Sequence, residues 1–426
     1  MNLKTKAIRL YGKEDLRLEE FNLPNINETE ILARVICDSL CMSSYKASKQ
    51  GINHKRIPKD VAKNPIIIGH EFSGEIIEVG KKWAGKFKAG DKFSIQPAIN
   101  YEQGHVGVLS APGYSYQFIG GDATYIIIPN EVMEQNCLLS YLGEGYYPAA
   151  LAEPLSCVIG AIHANYHTNP GSYIHKMDIV NGGNMAILAG VGPMGLAAIN
   201  YILHRTDRKP KLLLVTDIND ERLNRAAQLY PVELAAKSGI SLKYINTSKL
   251  VNPMESLRSL TKGKGFDDVF VLAPVPAVVS QGDDLLGQDG CLNFFAGPTD
   301  PDFKASFNFY NVHYQSTHVV ATSGGNNDDM VEALDFLSKG LDPAGLVTHI
   351  GGLDAVADAT LHLPEIPGGK KLMYTHISMP LTALTDFEEL GKSDPLFAKL
   401  NRLVIENKGL WSVAAEKYLL QNGKKI

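Results

Sequence analysis

The sequence has 426 residues, of which 45% are hydrophobic and 20% charged, and its formal net charge at neutral pH is −5. This is an ordinary globular composition with room for two domains, and the acidic balance argues against general binding to nucleic acid or anionic membranes. Five scattered cysteines fit a reducing compartment rather than a disulfide framework. Because no apolar run is long enough for a leader or a membrane span, we expect a soluble cytoplasmic protein.

The first third of the chain, residues 1–150, reads as short β-strands and loops. The candidate strands are rich in β-branched residues and bounded by Gly, Pro and Asn, whereas long helical periodicity is missing. We therefore predict a compact, mostly β domain with an irregular excursion over residues 98–122. The predicted strands are Ile31–Cys37, Ile66–Ile68, Phe72–Val79, Asp91–Pro97 and Ala123–Pro129.

Three fragments carry side chains of the kinds that bind metals. A Cys-Met-Ser-Ser run begins at Cys41, a Gly-His-Glu run contains His70 and Glu71, and a Glu-Pro-Leu run begins at Glu153. Cys, His and carboxylate are the ligands of a catalytic Zn²⁺, whose fourth position stays open for water or substrate. Thiolate and imidazole favour zinc, whereas an all-oxygen set would favour Mg²⁺. Either Glu71 or Glu153 can supply the carboxylate, and the sequence does not decide between them.

The middle of the chain contains a glycine-rich turn between two apolar runs. Met185–Ala189 leads into Gly-Val-Gly-Pro-Met-Gly, a segment with helical spacing follows, and the second apolar run ends at Asp217. This order favours a dinucleotide site, in which the glycines admit the pyrophosphate to a helix N-terminus. A carboxylate at Asp217 can accept from both ribose hydroxyls and would repel a 2′-phosphate, so NAD is favoured over NADP. The candidate residues are Gly190, Gly192, Pro193, Met194, Gly195 and Asp217.

The alternation of strand and helix continues after Asp217. Six strands with helical crossovers predict an α/β fold with a doubly wound parallel sheet over about residues 155–345. Residues 346–378 return to β character, and Lys371–Ile377 is a candidate strand. The later predicted elements of the sheet domain are Glu221–Leu229, Met254–Leu260 and Asp328–Leu337 as helices, and Leu242–Thr247, Phe266–Leu272, Cys291–Ala296 and His318–Thr322 as strands.

The tail past Ser378 has a helix start at Asp394, which precedes a proline. One apolar stripe and a second, shorter one predict packing against a core or an interface, with gating of a substrate as the alternative. The residues of the two stripes are Leu396, Phe397, Leu400, Leu403 and Val404, then Trp411, Tyr418 and Leu419.

Together these motifs resemble the zinc-dependent medium-chain dehydrogenase/reductase family, which includes alcohol, sorbitol and threonine dehydrogenases. The resemblance runs from about Lys6 to about His376, and Glu153 followed by Pro-Leu is typical of its polyol branch. It implies a GroES-like catalytic domain over residues 1–154, an NAD(P)-binding Rossmann domain over 155–345, and a return to the catalytic domain with a helical extension over 346–426. The cleft between domains would then hold zinc on one wall and NAD on the other.

The resemblance also implies cofactors and partners. Cys41, His70 and one of the two glutamates would hold a single catalytic zinc, because there is no cysteine between Cys41 and Cys137 for a structural zinc site. The cofactor would be NAD(H), with NADP(H) as the alternative, and Arg222 and Thr322 would join the cofactor-binding residues. The substrate would be a small sugar or polyol, and the chain would form a homodimer or homotetramer.

The catalytic roles follow from the same resemblance. Ser43 matches the residue that hydrogen-bonds the substrate oxygen and passes its proton outward, and Glu71 matches the acid beside the second ligand. Lys46 stands where the family often has the histidine that ends a proton relay. Met42 and Ser44 replace the usual Gly and Asp, so the proton path differs from the family pattern.

The loop between Cys41 and His70 is rich in cations and has one acid, Asp60. Such an excess near a substrate mouth favours an anionic substrate, for which a phosphate is the natural candidate; the alternative is a solvated surface run. The stretch resembles the L-sorbose-1-phosphate reductase branch, which would interconvert a ketose phosphate and a hexitol phosphate. The competing functions are dehydrogenation of an unphosphorylated polyol or threonine, a zinc-free quinone or enoyl reductase, and a non-catalytic binding protein. The basic residues are Lys46, Lys49, His54, Lys55, Arg56, Lys59 and Lys63.

Overall fold

The computed structural model describes residues 3–426, which divide into two compact units. The first unit runs up to Glu153 and resumes over Met330–Ile426, and the second unit is Pro154–Asp329. In the part of the chain that the structure describes, no helix is both long and apolar enough to cross a membrane.

The chain contains twenty strands. They are β1 (Lys4–Gly12), β2 (Asp15–Asn22), β3 (Ile31–Ser39), β4 (Ile66–Ile67), β5 (Phe72–Val79), β6 (Lys92–Ile95), β7 (His105–Val108), β8 (Tyr125–Ile128), β9 (Leu138–Ser140), β10 (Tyr166–His167), β11 (Lys176–Met177), β12 (Asn184–Leu188), β13 (Leu212–Asp217), β14 (Ser241–Asn246), β15 (Phe266–Val271), β16 (Leu286–Phe294), β17 (His318–Val320), β18 (Val347–Gly352), β19 (Lys370–Tyr374) and β20 (Thr382–Ala383), all within residues 3–426.

The same described residues form fifteen α-helices and several short 3₁₀ turns. The helices are α1 (Met42–Gln50), α2 (Asn130–Glu134), α3 (Tyr147–Ala150), α4 (Ala152–Ala164), α5 (Pro193–His204), α6 (Asp220–Leu229), α7 (Val232–Lys237), α8 (Pro253–Ser259), α9 (Pro276–Leu285), α10 (Phe309–Gln315), α11 (Asn327–Ser338), α12 (Val356–Leu361), α13 (Phe387–Leu390), α14 (Pro395–Glu406) and α15 (Val413–Asn422).

The first unit is built on an eight-stranded sheet of order β20-β18-β19-β3-β5-β6-β9, with β8 also paired to β3, and on a three-stranded sheet of order β2-β1-β4. Strand β3 is central because it pairs antiparallel with β5, β8 and β19. Its residues Ile31, Ala33 and Val35 alternate toward a core that also contains Phe72 and Phe93. The sheet thereby brings residues that follow β3 close to residues that precede β5.

The second unit contains a six-stranded parallel sheet of order β14-β13-β12-β15-β16-β17. Helices cover the sheet, so its strands are continuous apolar runs rather than alternating ones; Leu212–Asp217 is buried throughout. The order reverses between β12 and β15, which is the arrangement of doubly wound nucleotide-binding sheets. The predicted α/β fold, with a doubly wound parallel sheet and a separate, mostly β domain, is confirmed.

The segment after Cys41 differs from the prediction. The sequence predicts a loop for the basic stretch between Cys41 and His70. In the structure, residues Met42–Gln50 form α1 and a 3₁₀ turn follows at Gly51–Asn53. The buried face of α1 consists of Ser44, Ala47 and Ser48, so the helix packs through small side chains. A helix that buries small polar residues leaves no apolar periodicity to recognise in the sequence.

The tail packs into the core of the first unit. Helix α14 begins after Asp394, whose carboxylate accepts from the Leu396 amide at 2.8 Å, and it buries Phe397, Leu400 and Val404. Trp411 is fully buried, and its Nε1 donates to the Tyr374 hydroxyl at 2.8 Å. The predicted packing role of the tail is therefore confirmed as core packing.

Candidate metal and dinucleotide sites

Three predicted metal ligands meet in the first unit. The side-chain donor atoms of Cys41, His70 and Glu71 all lie within 4.8 Å of one another. Cys41 is the N-cap of α1, and His70 follows Gly69 in the turn before β5. Gly69 has φ +89°, and a Cβ there would meet the Asp122 amide nitrogen at 2.7 Å, so this turn requires glycine.

Hydrogen bonds fix how the thiol and the imidazole point. The Ser44 hydroxyl lies 3.1 Å from His70 Nδ1, while the Tyr114 hydroxyl lies 3.2 Å from the other ring nitrogen, Nε2. The Ser43 hydroxyl lies 2.9 Å from Cys41 Sγ and 3.5 Å from His70 Nε2. With Nδ1 donating to Ser44, Nε2 keeps a lone pair on the side that Cys41 faces, as a metal-binding histidine requires.

Glu71 is held by a lysine that sequence analysis did not single out. Lys370 Nζ lies 2.5 Å from both oxygens of the Glu71 carboxylate, and both side chains are buried. Burial, the largest single cause, lowers the pKa of Lys370, but the charge and hydrogen bond of Glu71 together with the charges of Cys41 and Glu153 outweigh it and raise the pKa, so the lysine stays cationic. No local pattern indicates this pair, because its members are 299 positions apart.

Glu153 is close to the site but is not part of the tight three-residue group. It lies in the first turn of α4 and is 9% exposed. Burial is the main cause that raises the pKa of the Cys41 thiol to about 12, and the charges of Glu71 and Glu153 add to it. The two candidate carboxylates therefore both act on the thiol, and Glu71 in addition forms a direct ion pair with Lys370.

The donor set fits zinc. Burial, assisted by the charges of Lys370 and Arg56, lowers the pKa of His70 to about 3, so the imidazole is neutral and can bind a metal. The thiol must lose its proton to bind, so metal uptake should release one proton. Thiol, imidazole and carboxylate together select a borderline-soft cation over Mg²⁺ or Ca²⁺.

The other predicted catalytic residues lie on α1. Ser43 is half-buried beside the metal-binding side chains, as described above. Lys46 is half-buried three positions later on the same helix, which places it on the same face as Ser43. Tyr114, from the predicted irregular excursion, is a second residue at the site, after Lys370, that the sequence does not indicate, because a tyrosine in a loop gives no signal.

The glycine turn lies in the second unit, between β12 and α5. A Cβ on Gly195 would meet the Gly190 carbonyl oxygen at 2.0 Å, so strand and helix pack too closely for any side chain there. Gly192 is the N-cap of α5 and Pro193 its first residue, so no side chain caps the amides of Met194 and Gly195. Such an uncapped helix start is suited to bind a phosphate group.

The remaining cofactor candidates are also in the second unit. Asp217 is the last residue of β13, and its Oδ1 accepts from the Ile218 and Asn219 amides at 2.9 and 3.1 Å. The Arg222 guanidinium comes within 3.4 Å of the position that a Cβ on Gly192 would take. Thr322 follows β17, and among the described residues its buried hydroxyl has no hydrogen-bond partner.

Two family models match the sequence in separate regions. Residues 27–136 match the alcohol dehydrogenase GroES-like domain, and residues 212–339 match the zinc-binding dehydrogenase model. The first matched region contains Cys41, His70 and Tyr114, and the second begins in β13 and contains Asp217.

Relatives align over almost the whole chain. The sequence is 48% identical to a mannitol-1-phosphate 5-dehydrogenase of Aliivibrio fischeri, with 98% of each chain covered. It is also 48% identical to an L-sorbose 1-phosphate reductase of Klebsiella pneumoniae, covering 99% of this chain and 98% of the relative. The crystal structure of 2R,3R-butanediol dehydrogenase from Bacillus subtilis has the same fold, with a TM-score of 0.68 at 21% identity over 87% of this chain and 99% of that one.

Proposed function

The chain belongs to the zinc-binding medium-chain dehydrogenases and is thus an oxidoreductase; we propose that it uses NAD(P)(H) to interconvert a ketose phosphate and a hexitol phosphate. The main supporting observation is that the thiol of Cys41 and the imidazole of His70 meet beside a carboxylate, with the donor atoms of Cys41, His70 and Glu71 all within 4.8 Å of one another. The substrate class is supported by the names of two relatives of nearly equal length, one a hexitol-phosphate dehydrogenase and the other a ketose-phosphate reductase.

We propose that Cys41, His70 and Glu153 hold the zinc. The pairing of Glu71 with Lys370 supports this choice, because an ammonium that contacts both oxygens competes with a second cation for the same carboxylate. In this proposal Glu71 does not bind the metal itself, and its charge raises the pKa of the Cys41 thiol. Ser44 orients the imidazole through Nδ1.

Zinc, when bound, supplies a Lewis acid for the substrate oxygen, and the nicotinamide ring carries the hydride. The chain contributes the proton path. Ser43 lies beside both Cys41 and His70, so its hydroxyl is placed to hydrogen-bond the substrate oxygen and to pass its proton. Lys46 follows on the same face of α1 and is our candidate for the next group on that path. Tyr114 offers a second hydroxyl beside His70.

The glycine turn supplies the cofactor site in this proposal. The pyrophosphate would bind the open amides at the start of α5, where the helix dipole is favourable. Asp217 would accept from the adenosine ribose hydroxyls, so we expect NAD to be preferred over NADP. Arg222, beside Gly192, would contribute positive charge to the phosphates, and Thr322 would lie along the nicotinamide.

Among the described residues no disulfide joins any of the five cysteines, which supports a reducing compartment, and we propose the cytoplasm. We also propose a homodimer or homotetramer, as the family resemblance implies. Size-exclusion chromatography with light scattering would measure the number of chains.

The function is tested by following NADH at 340 nm with purified zinc-loaded protein. Ketohexose 1- and 6-phosphates, with the matching hexitol phosphates in reverse, should be turned over more efficiently than free ketoses, free polyols or L-threonine. Equal kcat/KM for phosphorylated and free sugars would contradict the substrate class. Turnover that survives complete removal of zinc by a chelator would instead indicate a zinc-free reductase.

The metal site is tested in the same assay. Cys41→Ala and His70→Ala should lose bound zinc and turnover, while NADH binding, measured by fluorescence, persists because the dinucleotide site is in the other unit. Full zinc content and activity in both variants would overturn the assignment.

A further inference from the structure

The cations between Cys41 and His70 are not equivalent in the structure. Lys49 is paired with Glu14 on the surface, and Lys59 Nζ donates to the Ile52 carbonyl at 2.5 Å. Lys55 and Lys63 are exposed. Arg56 differs from these lysines, because its half-buried side chain lies over the ring of Tyr114, a residue of the metal site.

Arg56 is fixed at this position by the loop that carries Tyr114. Its guanidinium carbon lies 5.6 Å from the centroid of the Tyr114 ring, and its Nη1 donates to the Leu109 carbonyl at 3.1 Å. The Arg56 carbonyl accepts from the Ser115 hydroxyl at 2.7 Å. Backbone and side chain are therefore both held, and the guanidinium is preorganised rather than free in solvent.

The distance from Arg56 to the metal-binding side chains is bridged by one aromatic ring. The Tyr114 hydroxyl is 3.2 Å from His70 Nε2, and the same ring lies under the guanidinium. The positive charge of Arg56 reaches His70, where, after burial and Lys370, it helps to lower the pKa of the imidazole. A substrate whose oxygen is near His70 could thus present a charged group to Arg56.

Arg56 also has hydrogen-bonding capacity to spare. Among the described residues it forms no ion pair with a carboxylate, in contrast to Lys370, whose charge is balanced by Glu71. One of its five N–H donors is used by Leu109, and the planar fork of the others matches two phosphate oxygens. A phosphate near Glu153 needs such a cation, since the carboxylate would otherwise repel it.

His54 is the second group at this place. Its ring stacks on Tyr114 with centroids 6.0 Å apart, and its Nδ1 accepts from the Arg56 amide at 3.3 Å. Burial, with the charges of Arg56 and Lys55, lowers the pKa of His54 to about 4. With Nδ1 accepting, the neutral ring carries its proton on Nε2 and can donate one further hydrogen bond.

We propose that Arg56, assisted by His54, binds the phosphate group of the substrate and is the residue that selects phosphorylated over free sugars. This inference rests on the proposed function and deepens it. Charge-assisted hydrogen bonds from a guanidinium fork to phosphate oxygens are the interaction that a free sugar cannot form.

The test compares Arg56→Gln, Arg56→Lys and the wild type on a ketose phosphate and on the same ketose without phosphate. Arg56→Gln should lower kcat/KM for the phosphorylated substrate about 10- to 100-fold, mainly through KM, and should lower the value for the free ketose much less. Arg56→Lys should recover part of the loss, because it keeps the charge and loses the fork. Inorganic phosphate should inhibit the wild type competitively and Arg56→Gln much less.

Lys63→Gln is the matched control, because it removes the same charge from an exposed position of the same segment. At 0.15 M salt, kcat/KM of this variant should stay within about twofold of the wild-type value on both the ketose phosphate and the free ketose, since surface charges are screened. Zinc content and the far-ultraviolet spectrum of each variant identify misfolded protein, and Arg56→Lys keeps the test informative if Arg56→Gln does not fold.

Three results would overturn the inference: an unchanged phosphate preference in Arg56→Gln, an equal loss on both substrates, or an equal effect of Lys63→Gln. Each differs from failure of the proposed function, in which the wild type itself shows no preference for sugar phosphates and the inference falls with it.

Discussion

Lys370 Nζ lies 2.5 Å from both carboxylate oxygens of Glu71, and solvent reaches only 9% and 1% of the two side chains. The pair joins β19, near the end of the sequence, to the turn that carries His70. Because the ammonium compensates the carboxylate, we expect Glu71 to repel an anionic substrate less, and to bind a metal ion less well, than an unpaired glutamate would. Two predictions follow from this contact.

The first concerns folding. Lys370→Met should destabilise the metal-free protein by about 3–5 kcal/mol, because it leaves the Glu71 carboxylate buried without a counter-charge. Urea unfolding after chelation measures this. The double variant Glu71→Gln with Lys370→Met should recover a large part of the loss, since no charge then remains buried. A Lys370→Met protein as stable as the wild type would show that solvent or another cation compensates Glu71.

The second prediction separates the two glutamates as zinc ligands. Glu153→Gln should lose most of its zinc during gel filtration, because one ligand of three is removed. Glu71→Gln should keep its zinc. Its zinc affinity should fall about 10- to 100-fold, as expected for a residue that influences the ligands but does not bind the metal itself. Metal analysis of both proteins gives the answer. Zinc retained in Glu153→Gln and absent from Glu71→Gln would reverse the assignment.

The third prediction concerns two acids in the core of the first unit. Asp38 and Asp122 are each 1% exposed, and among the described residues their carboxylate oxygens have no hydrogen-bond donor apart from each other. Burial, more than their mutual repulsion, raises the pKa of Asp38, and burial also raises the pKa of Asp122. The pair therefore retains protons that each acid would lose in the unfolded chain.

The sign of the pH dependence follows. Because both pKa values are raised on folding, their contribution to stability is complete below about pH 4 and is lost as the pH rises through the raised values. In Asp122→Asn, the side-chain amide can donate a hydrogen bond to Asp38 at every pH, so the variant loses part of the pH dependence of stability. Its melting temperature relative to the wild type should thus increase from pH 5.5 to pH 8.5. A constant difference across that range would mean that the pair does not take up protons on folding.

The fourth prediction concerns the tail. The carboxylate of Glu416, in α15, is fully buried and accepts from the Tyr146 and Tyr147 amides at 2.6 and 2.8 Å and from the Tyr374 hydroxyl at 2.9 Å. Glu416→Ala should destabilise the protein by about 2–4 kcal/mol, because it leaves these buried donors without an acceptor. Glu406→Ala, at an exposed position of α14, should change stability by less than about 0.5 kcal/mol. Equal effects of the two substitutions in urea unfolding would contradict the role of Glu416.

Much of the fold was accessible from the sequence because its signals are local. The glycine turn at residues 190–195 and the apolar runs beside it predict strand, helix and strand, and the structure has β12, α5 and β13 there. Asp394 before a proline predicts the start of α14, which begins at Pro395. Helix α1 was missed because its buried face consists of serine and alanine, whose burial leaves no hydrophobic period.

The sequence alone determined the kinds of ligand and their order along the chain, since Cys41, His70 and the two glutamates lie in recognisable local motifs. Only the tertiary structure decided that Lys370 neutralises Glu71, that Tyr114 faces His70, and that Arg56 lies over the Tyr114 ring. These contacts join residues 44 to 299 positions apart, and the pairing of strands around β3 brings several of them together. Spacing along a chain predicts which face of a helix or strand a residue occupies, but packing between distant elements determines what that face meets.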